Sequence, residues 1–167
     1  MRAEEKNGGI GVTTVLVHPY RYKNDELEYL LIKRKRVAYN WQGVSGSVEE
    51  NETTEECAIR ELFEETGYIP ASVTPINLPA DFHEGTEGKG EIWEGHYNGD
   101  SYIKLQKDTL FIARIDQKKD PVLNPEEHTD WIWCKYEKAY EIIKWDLEKR
   151  FLRYINNMLI TGEIKEK

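Results

Sequence analysis

Glutamate is concentrated where it should repel itself: eight of the seventeen residues from Glu49 to Glu65 are Glu. Glu61, Glu64 and Glu65 stand at i, i+3 and i+4, so a helix through them stacks three carboxylates on one face. Like charges at that spacing cost roughly a few tenths of a kcal/mol per pair unless something offsets them. One reading is a solvated acidic surface helix. The other is a divalent-cation site: hard oxygen ligands suit Mg²⁺ or Mn²⁺, and Mg²⁺ shares its shell with substrate phosphates. The neighbours favour the second. Gly46 and Ser47 supply a turn ahead of the helix, Glu52 and Arg60 can pair to hold the loop against it, and Gly67 lets the chain turn sharply at its end. The calcium loop of an EF-hand is excluded, since no D-x-[DN]-x-[DN]-G run exists.

The elements that must position these residues read as one α/β domain spanning residues 1–167, with a sheet covered on both sides. Ile10 to His18 predicts a strand that Pro19 ends. A second strand runs through Leu27 to Leu31 and carries Lys33, Arg34, Lys35 and Arg36 at its far end, with Arg34 pointing opposite to Lys33 and Lys35. Thr53 to Thr66 predicts a helix, with Thr53 and Glu56 as a capping box, Ala58 and Leu62 in contact, and Gly67 as a left-handed stop. Val73 to Leu78 and Thr109 to Ile115 predict strands. Asn98-Gly99-Asp100 reads as a hairpin turn, and His83 to Gly90 as a loop that orders over substrate. After Trp131 to Trp133 come two helices, the second with Asp146 as N-cap and Phe151, Leu152, Ile155, Met158 and Leu159 on one face.

Composition bounds the function classes. The 167 residues are 39% hydrophobic and include five Trp and ten Tyr, enough for a packed core. Lys and Arg number 23 against 31 Asp and Glu, a formal charge of −8. A basic surface gripping nucleic acid is therefore not expected, and an acidic protein that holds a polyanion needs a cation between them. No apolar run reaches the length of a membrane span, and no signal-type apolar stretch opens the sequence, so a cytoplasmic location is expected. Cys57 and Cys134 lack metal-ligand spacing and read as small buried hydrophobes.

The stretch GSVEENETTEECAIRELFEETGY, Gly46 to Tyr68, resembles the Nudix box, G-x5-E-x7-R-E-U-x-E-E-x-G-U with U a bulky apolar residue. All seven fixed positions are met by Gly46, Glu52, Arg60, Glu61, Glu64, Glu65 and Gly67; Tyr68 takes the final U position, usually aliphatic. The resemblance implies an α/β/α sandwich with a mixed β-sheet and a loop–helix–loop motif, and hydrolysis of a pyrophosphate bond in a nucleotide-like substrate. It also implies that Gly46, through its carbonyl, Glu61, Glu64, Glu65 and Glu127 hold Mg²⁺, with Mn²⁺ as an alternative. Catalytic roles fall on Glu127, Glu64 and Arg60, and structural support on Glu52 and Gly67. The bound cations would offset charge on the phosphates and acidify the attacking water, and a carboxylate would take its proton. Glu127 is the first choice for that base, because Glu127-His128 precedes Trp133 in an arrangement like the E-H-x-x-x-x-W segment of several Nudix subfamilies. His128 is expected to orient the loop and to be neutral near pH 7.

Beyond the box, YNWQGVSGSVEENET and the ending EHTDWIWC resemble dihydroneopterin triphosphate pyrophosphohydrolases. That likeness implies release of pyrophosphate from the pterin triphosphate to leave the monophosphate. Asymmetric dinucleoside tetraphosphate hydrolases and nucleoside triphosphate pyrophosphohydrolases are the alternatives; a noncatalytic nucleotide-binding Nudix module is a further one, against which the intact box argues. An acidic protein–protein interaction domain leaves the fixed Gly and Arg positions unexplained. A flat heterocycle needs an aromatic face, for which Tyr39, Trp41, Trp93 and Tyr97 are candidates, and Arg34 can clamp a phosphate. The expected partner is a small phosphorylated molecule, with no nucleic acid or membrane, bound by a monomer or homodimer.

Overall fold

Residues 13–35, 40–78 and 109–164 are described in the computed structural model of the chain. Seven strands form one mixed sheet: β1 (Thr14–Lys23), β2 (Glu26–Arg34), β3 (Trp41–Gln42), β4 (Val44–Ser47), β5 (Ser72–Pro75), β6 (Leu110–Arg114) and β7 (His128–Cys134). Three helices complete it: α1 (Thr54–Thr66), α2 (Tyr136–Ile142) and α3 (Asp146–Thr161). β1 lies parallel to β6 and antiparallel to β2 and β4, and β7 closes antiparallel on the outer edge of β2.

Alternation along the central strands sorts their side chains to two faces. Val15, Val17, Leu30 and Ile32 meet Cys57, Ala58 and Leu62 of α1 on one side. Leu16, Tyr20, Tyr29 and Leu31 meet Ala139 of α2 and Phe151, Leu152 and Ile155 of α3 on the other. The result is the α/β/α sandwich with a mixed sheet that the sequence implies. Cys57 and Cys134 are both free and buried.

Pro19 does not end β1, contrary to the sequence expectation, and the strand continues four residues beyond it. Leu16 donates its N–H to Thr109 on the β6 side, so by alternation the nitrogen of residue 19 faces the other edge of β1. On that edge β4 pairs only as far as Val17 and β2 begins at Tyr20, so no ladder bond is asked of residue 19. The gap exists because the segment Trp41–Ser47 changes partner within it: Gln42 pairs with Ile32 of β2, whereas Val44 pairs with Val17 of β1. Gly43 is the pivot, and a Cβ there would lie 2.7 Å from the Val17 carbonyl oxygen.

Boundaries shift elsewhere. β5 is shorter than Val73–Leu78 predicts, ending at Pro75, and β2 persists to Arg34. Trp145 is the N-cap of α3, with no side-chain capping bond, and Asp146 is its first helical residue rather than its cap. Asp146 still lies in the first turn, where its charge favours the helix dipole. The hairpin at Asn98-Gly99-Asp100 and the loop His83 to Gly90 lie outside the described residues, as do Arg36, Tyr39, Trp93 and Tyr97.

Candidate active site

Local chemistry builds α1 as its sequence predicts. Thr53 accepts the N–H of Glu56 while the Glu56 carboxylate accepts that of Thr53, at 3.0 and 2.9 Å, and Gly67 stops the helix at φ 76°. Ahead of it, Arg60 binds the loop. Its Nε and Nη2 donate to both Glu52 oxygens at 2.6 and 2.9 Å, and Nη2 also reaches the Ser47 carbonyl at 3.0 Å. This fork holds the Glu52 carboxyl down to about 2, chiefly through the hydrogen bonds from Arg60. Nη1 of Arg60 meets Glu61 at 2.9 Å and Glu64 at 3.0 Å.

The three helix carboxylates do not share one environment, and this corrects the reading of a single acidic face. Glu61 and Glu65 are 5% and 4% exposed, whereas the Glu64 side chain is 55% exposed and turned to Arg60. Residues i+3 and i+4 straddle the line through i, so one of them points into the domain and the other lies at its rim.

The buried pair is held against strand β4 and the start of β7. Gly46 packs so closely over Glu61 that an added Cβ would lie 2.0 Å from the carboxyl carbon and 2.2 Å from Oε1. Glu65, Glu127 and His128 bring ligand atoms within 4.8 Å of one another. His128 Nε2 stands 3.2 Å from Glu65 Oε1. Burial raises the Glu65 carboxyl well above the usual range, and the charges of Glu61 and Glu127 raise it further, against the opposing pull of Arg34. Burial likewise raises Glu61, and it lowers His128 to about 4 with the help of Arg34, leaving the imidazole neutral at pH 7. Glu65 Oε2 is buried without a hydrogen-bond partner among the described residues.

These residues fit a divalent cation. Hard carboxylate oxygens converge, one of them is buried and unsatisfied, and their mutual repulsion has only partial relief from Arg34 and Arg60. Glu65, Glu127 and His128 bring ligand atoms together, and Glu61 lies buried beside Glu65 beneath Gly46. Glu64 lies at the rim of the group, and Gly67 serves only as the helix stop.

Of the substrate candidates, Arg34 sits at the site: it pairs in register with His128, and its charge acts on both Glu65 and His128. Trp41 is half-buried against the core on the α2–α3 side and bridges to Ile143. The proximity of His128 to Glu65 was not legible in the sequence beyond its place beside Glu127. A recess of about 860 Å³ lined by Arg21, Lys23, Lys118, Trp131 and Trp133 lies at the far end of β1. Six residues of strand separate Arg21 from the partner of Gly46, about 20 Å, so it is not part of this site.

A profile of the NUDIX domain matches residues 13–155. A dihydroneopterin triphosphate diphosphatase of Haemophilus influenzae is 32% identical over 125 residues, covering 74% of this chain and 75% of the relative. An RNA pyrophosphohydrolase of Erythrobacter litoralis is 30% identical over 110 residues, covering 62% and 63%. Among solved structures, a Caenorhabditis elegans Ap4A hydrolase in a binary complex superposes with a TM-score of 0.68 at 23% identity, covering 90% of this chain and 98% of that one.

Proposed function

The chain belongs to the Nudix family of hydrolases, which act on phosphoric anhydrides, and on that premise we propose that it cleaves dihydroneopterin triphosphate to the monophosphate and pyrophosphate. One observation supports the chemistry above all others: buried Glu65 brings a carboxylate oxygen to Glu127 and His128, while Glu61, buried one turn earlier on the same helix, lies beneath a glycine that leaves no room for a side chain. The substrate choice rests on the likeness of the Tyr39–Thr53 and Glu127–Cys134 stretches of the sequence and on the Haemophilus influenzae relative, which is named for that activity.

Each residue then has a part. Glu61, Glu65 and Glu127, the Gly46 carbonyl and Glu64 at the rim hold the cation, Mg²⁺ with Mn²⁺ as a substitute. When bound, it supplies positive charge to the phosphate oxygens and acidifies the attacking water. Glu127, exposed on its turn, would serve as the general base for attack of water on phosphorus. Arg60 fixes the loop from Ser47 to Glu52 so that Gly46 keeps its place over Glu61. Arg34 gathers a phosphate oxygen from the end of β2. His128, neutral and buried, holds the orientation of Glu65, and Trp41 lies closest in sequence to the box for contact with the heterocycle.

The test offers dihydroneopterin triphosphate and Ap4A in parallel with Mg²⁺, with Glu65→Gln as control. Pyrophosphate from the pterin with little dinucleotide cleavage supports the proposal. ATP plus AMP from the dinucleotide replaces it with the tetraphosphatase reading, and activity retained by Glu65→Gln refutes the site.

A further inference from the structure

Two ionisable side chains lie deep in the molecule with no part in the carboxylate site. His18 of β1 and Glu148 in the first turn of α3 are wholly buried, with Nε2 and Oε2 3.4 Å apart. The same Glu148 oxygen accepts the N–H of Gly43 at 2.7 Å. Burial pushes the Glu148 carboxyl up to about 8 and the His18 imidazole down to about 4, so between those limits the pair is neutral and carries one proton. Glu148 also breaks the pattern of its helix: it shares a face with the buried Phe151, Leu152 and Ile155, where an apolar residue would cost less to bury.

The reason lies at Gly43. Here the chain leaves the ladder with β2 and has not yet joined the ladder with β1. An amide at such a switch has no strand acceptor, and a buried N–H without a partner is strongly unfavourable. The absence of a side chain lets the backbone press against Val17 and the His18 ring, and Glu148 reaches from α3 to satisfy it. Three residues on, the same short strand delivers Gly46 against Glu61.

We propose that Glu148 is a positioning residue: by holding the Gly43 amide it anchors β4 to α3 and thereby sets where Gly46 lies over Glu61. The inference rests on the placement of Gly46 in the cation site, and it joins two clusters on opposite faces of the sheet through three residues of backbone. His18 completes the clamp from β1, its Nε2 backing the same Glu148 oxygen at 3.4 Å.

Nuclear magnetic resonance on the metal-free protein reads the clamp directly, and Mn²⁺ binding followed by electron paramagnetic resonance reads its consequence. In the wild type the Gly43 amide shift titrates with Glu148. In Glu148→Gln, which keeps an acceptor oxygen, the titration disappears while Mn²⁺ affinity and kcat stay within about threefold. Glu148→Ala displaces the Gly46 amide resonance and weakens Mn²⁺ binding and kcat by about tenfold or more, since displacements near 1 Å can cost a hundredfold. Should the Ala variant not fold, Glu148→Asp, whose carboxylate is drawn back by one methylene, gives an intermediate loss. Unchanged Mn²⁺ binding and kcat in the folded Ala or Asp variant overturns the proposal, whatever its Tm. If Glu65→Gln binds Mn²⁺ like the wild type, the site assignment fails instead. The clamp is then judged on the Gly46 resonance alone: displacement in Glu148→Ala supports it, and an unmoved resonance overturns it.

Discussion

Gly46→Ala is a sharp perturbation because the structure gives its size. The added Cβ would lie 2.0 Å from Cδ, 2.2 Å from Oε1 and 2.4 Å from Cγ of Glu61. Ordinary carbon–carbon contact is about 3.5 Å or more, so the side chain must withdraw by about 1.5 Å. Glu61 has little room to do so, being 5% exposed and held at 2.9 Å by Arg60. A retreat of that size strains or breaks the Arg60 contact, and the same guanidinium also binds Glu52 and Ser47. Overpacking of this kind costs about 1–3 kcal/mol, or about 2–12 °C in Tm for a domain of this length. Displacing a carboxylate from its working position by about 1 Å or more should lower kcat about a hundredfold. Melting curves and Mn²⁺-binding isotherms, with steady-state rates, test both numbers. Gly162→Ala is the control: that residue has φ 77° but nothing within 4 Å of an added Cβ, so it carries strain without crowding and should leave turnover unchanged. A Gly46→Ala enzyme with wild-type rate and Mn²⁺ affinity would refute the packing argument.

Glu65→Gln should abolish Mg²⁺-dependent turnover with Tm unchanged or raised, because it removes a buried acid crowded by Glu61 and Glu127; a large fall in Tm on melting would contradict this. Thr53→Ala removes one half of the capping box and should cost about 1 kcal/mol, roughly 2–4 °C in Tm, with KM unaltered in a rate assay. Glu148 gives a pH signature in denaturant titrations: its folded value of about 8 lies above the unfolded 4.5, so the folded state keeps a proton that the unfolded state has lost. Stability should therefore fall as pH rises through that window, by up to about 1.4 kcal/mol per unit. Glu148→Gln should flatten this limb. His18, lowered to about 4 from 6.5, gives the opposite limb, with stability falling as pH drops through 6.5 toward 4, and that limb should survive in the Gln variant.

The helix that carries the site was legible because its signals are local. Thr53, Glu56 and Gly67 act within a few residues of themselves, and Arg60 reaches Glu52 across a single loop. Pro19 misled for an equally physical reason: whether a proline ends a strand depends on which edge its nitrogen faces, and that is fixed by β2 and β4 rather than by its neighbours in sequence. The division among Glu61, Glu64 and Glu65 was half legible. Spacing groups all three, but only the packing of α1 on the sheet decides which two are buried. The link from Glu148 to Gly43 spans 105 residues, and its one trace in the sequence is a carboxylate on the apolar stripe of α3.

Polar groups in this interior are distributed so that Arg60 answers Glu52, Glu61 and Glu64, while Glu65 is left against Glu61, Glu127 and a neutral His128. Negative potential that Arg34 relieves only in part therefore falls on Glu65, beside the carboxylate that Gly46 packs against. Gly46 in turn stands on a strand of four residues, paired in register with β1. That strand is gripped at its base through Gly43 by α3 and at its tip through Ser47 by Arg60. On the proposed reading the carboxylates would supply the affinity for a cation, and the two grips would decide whether they meet it in the right geometry.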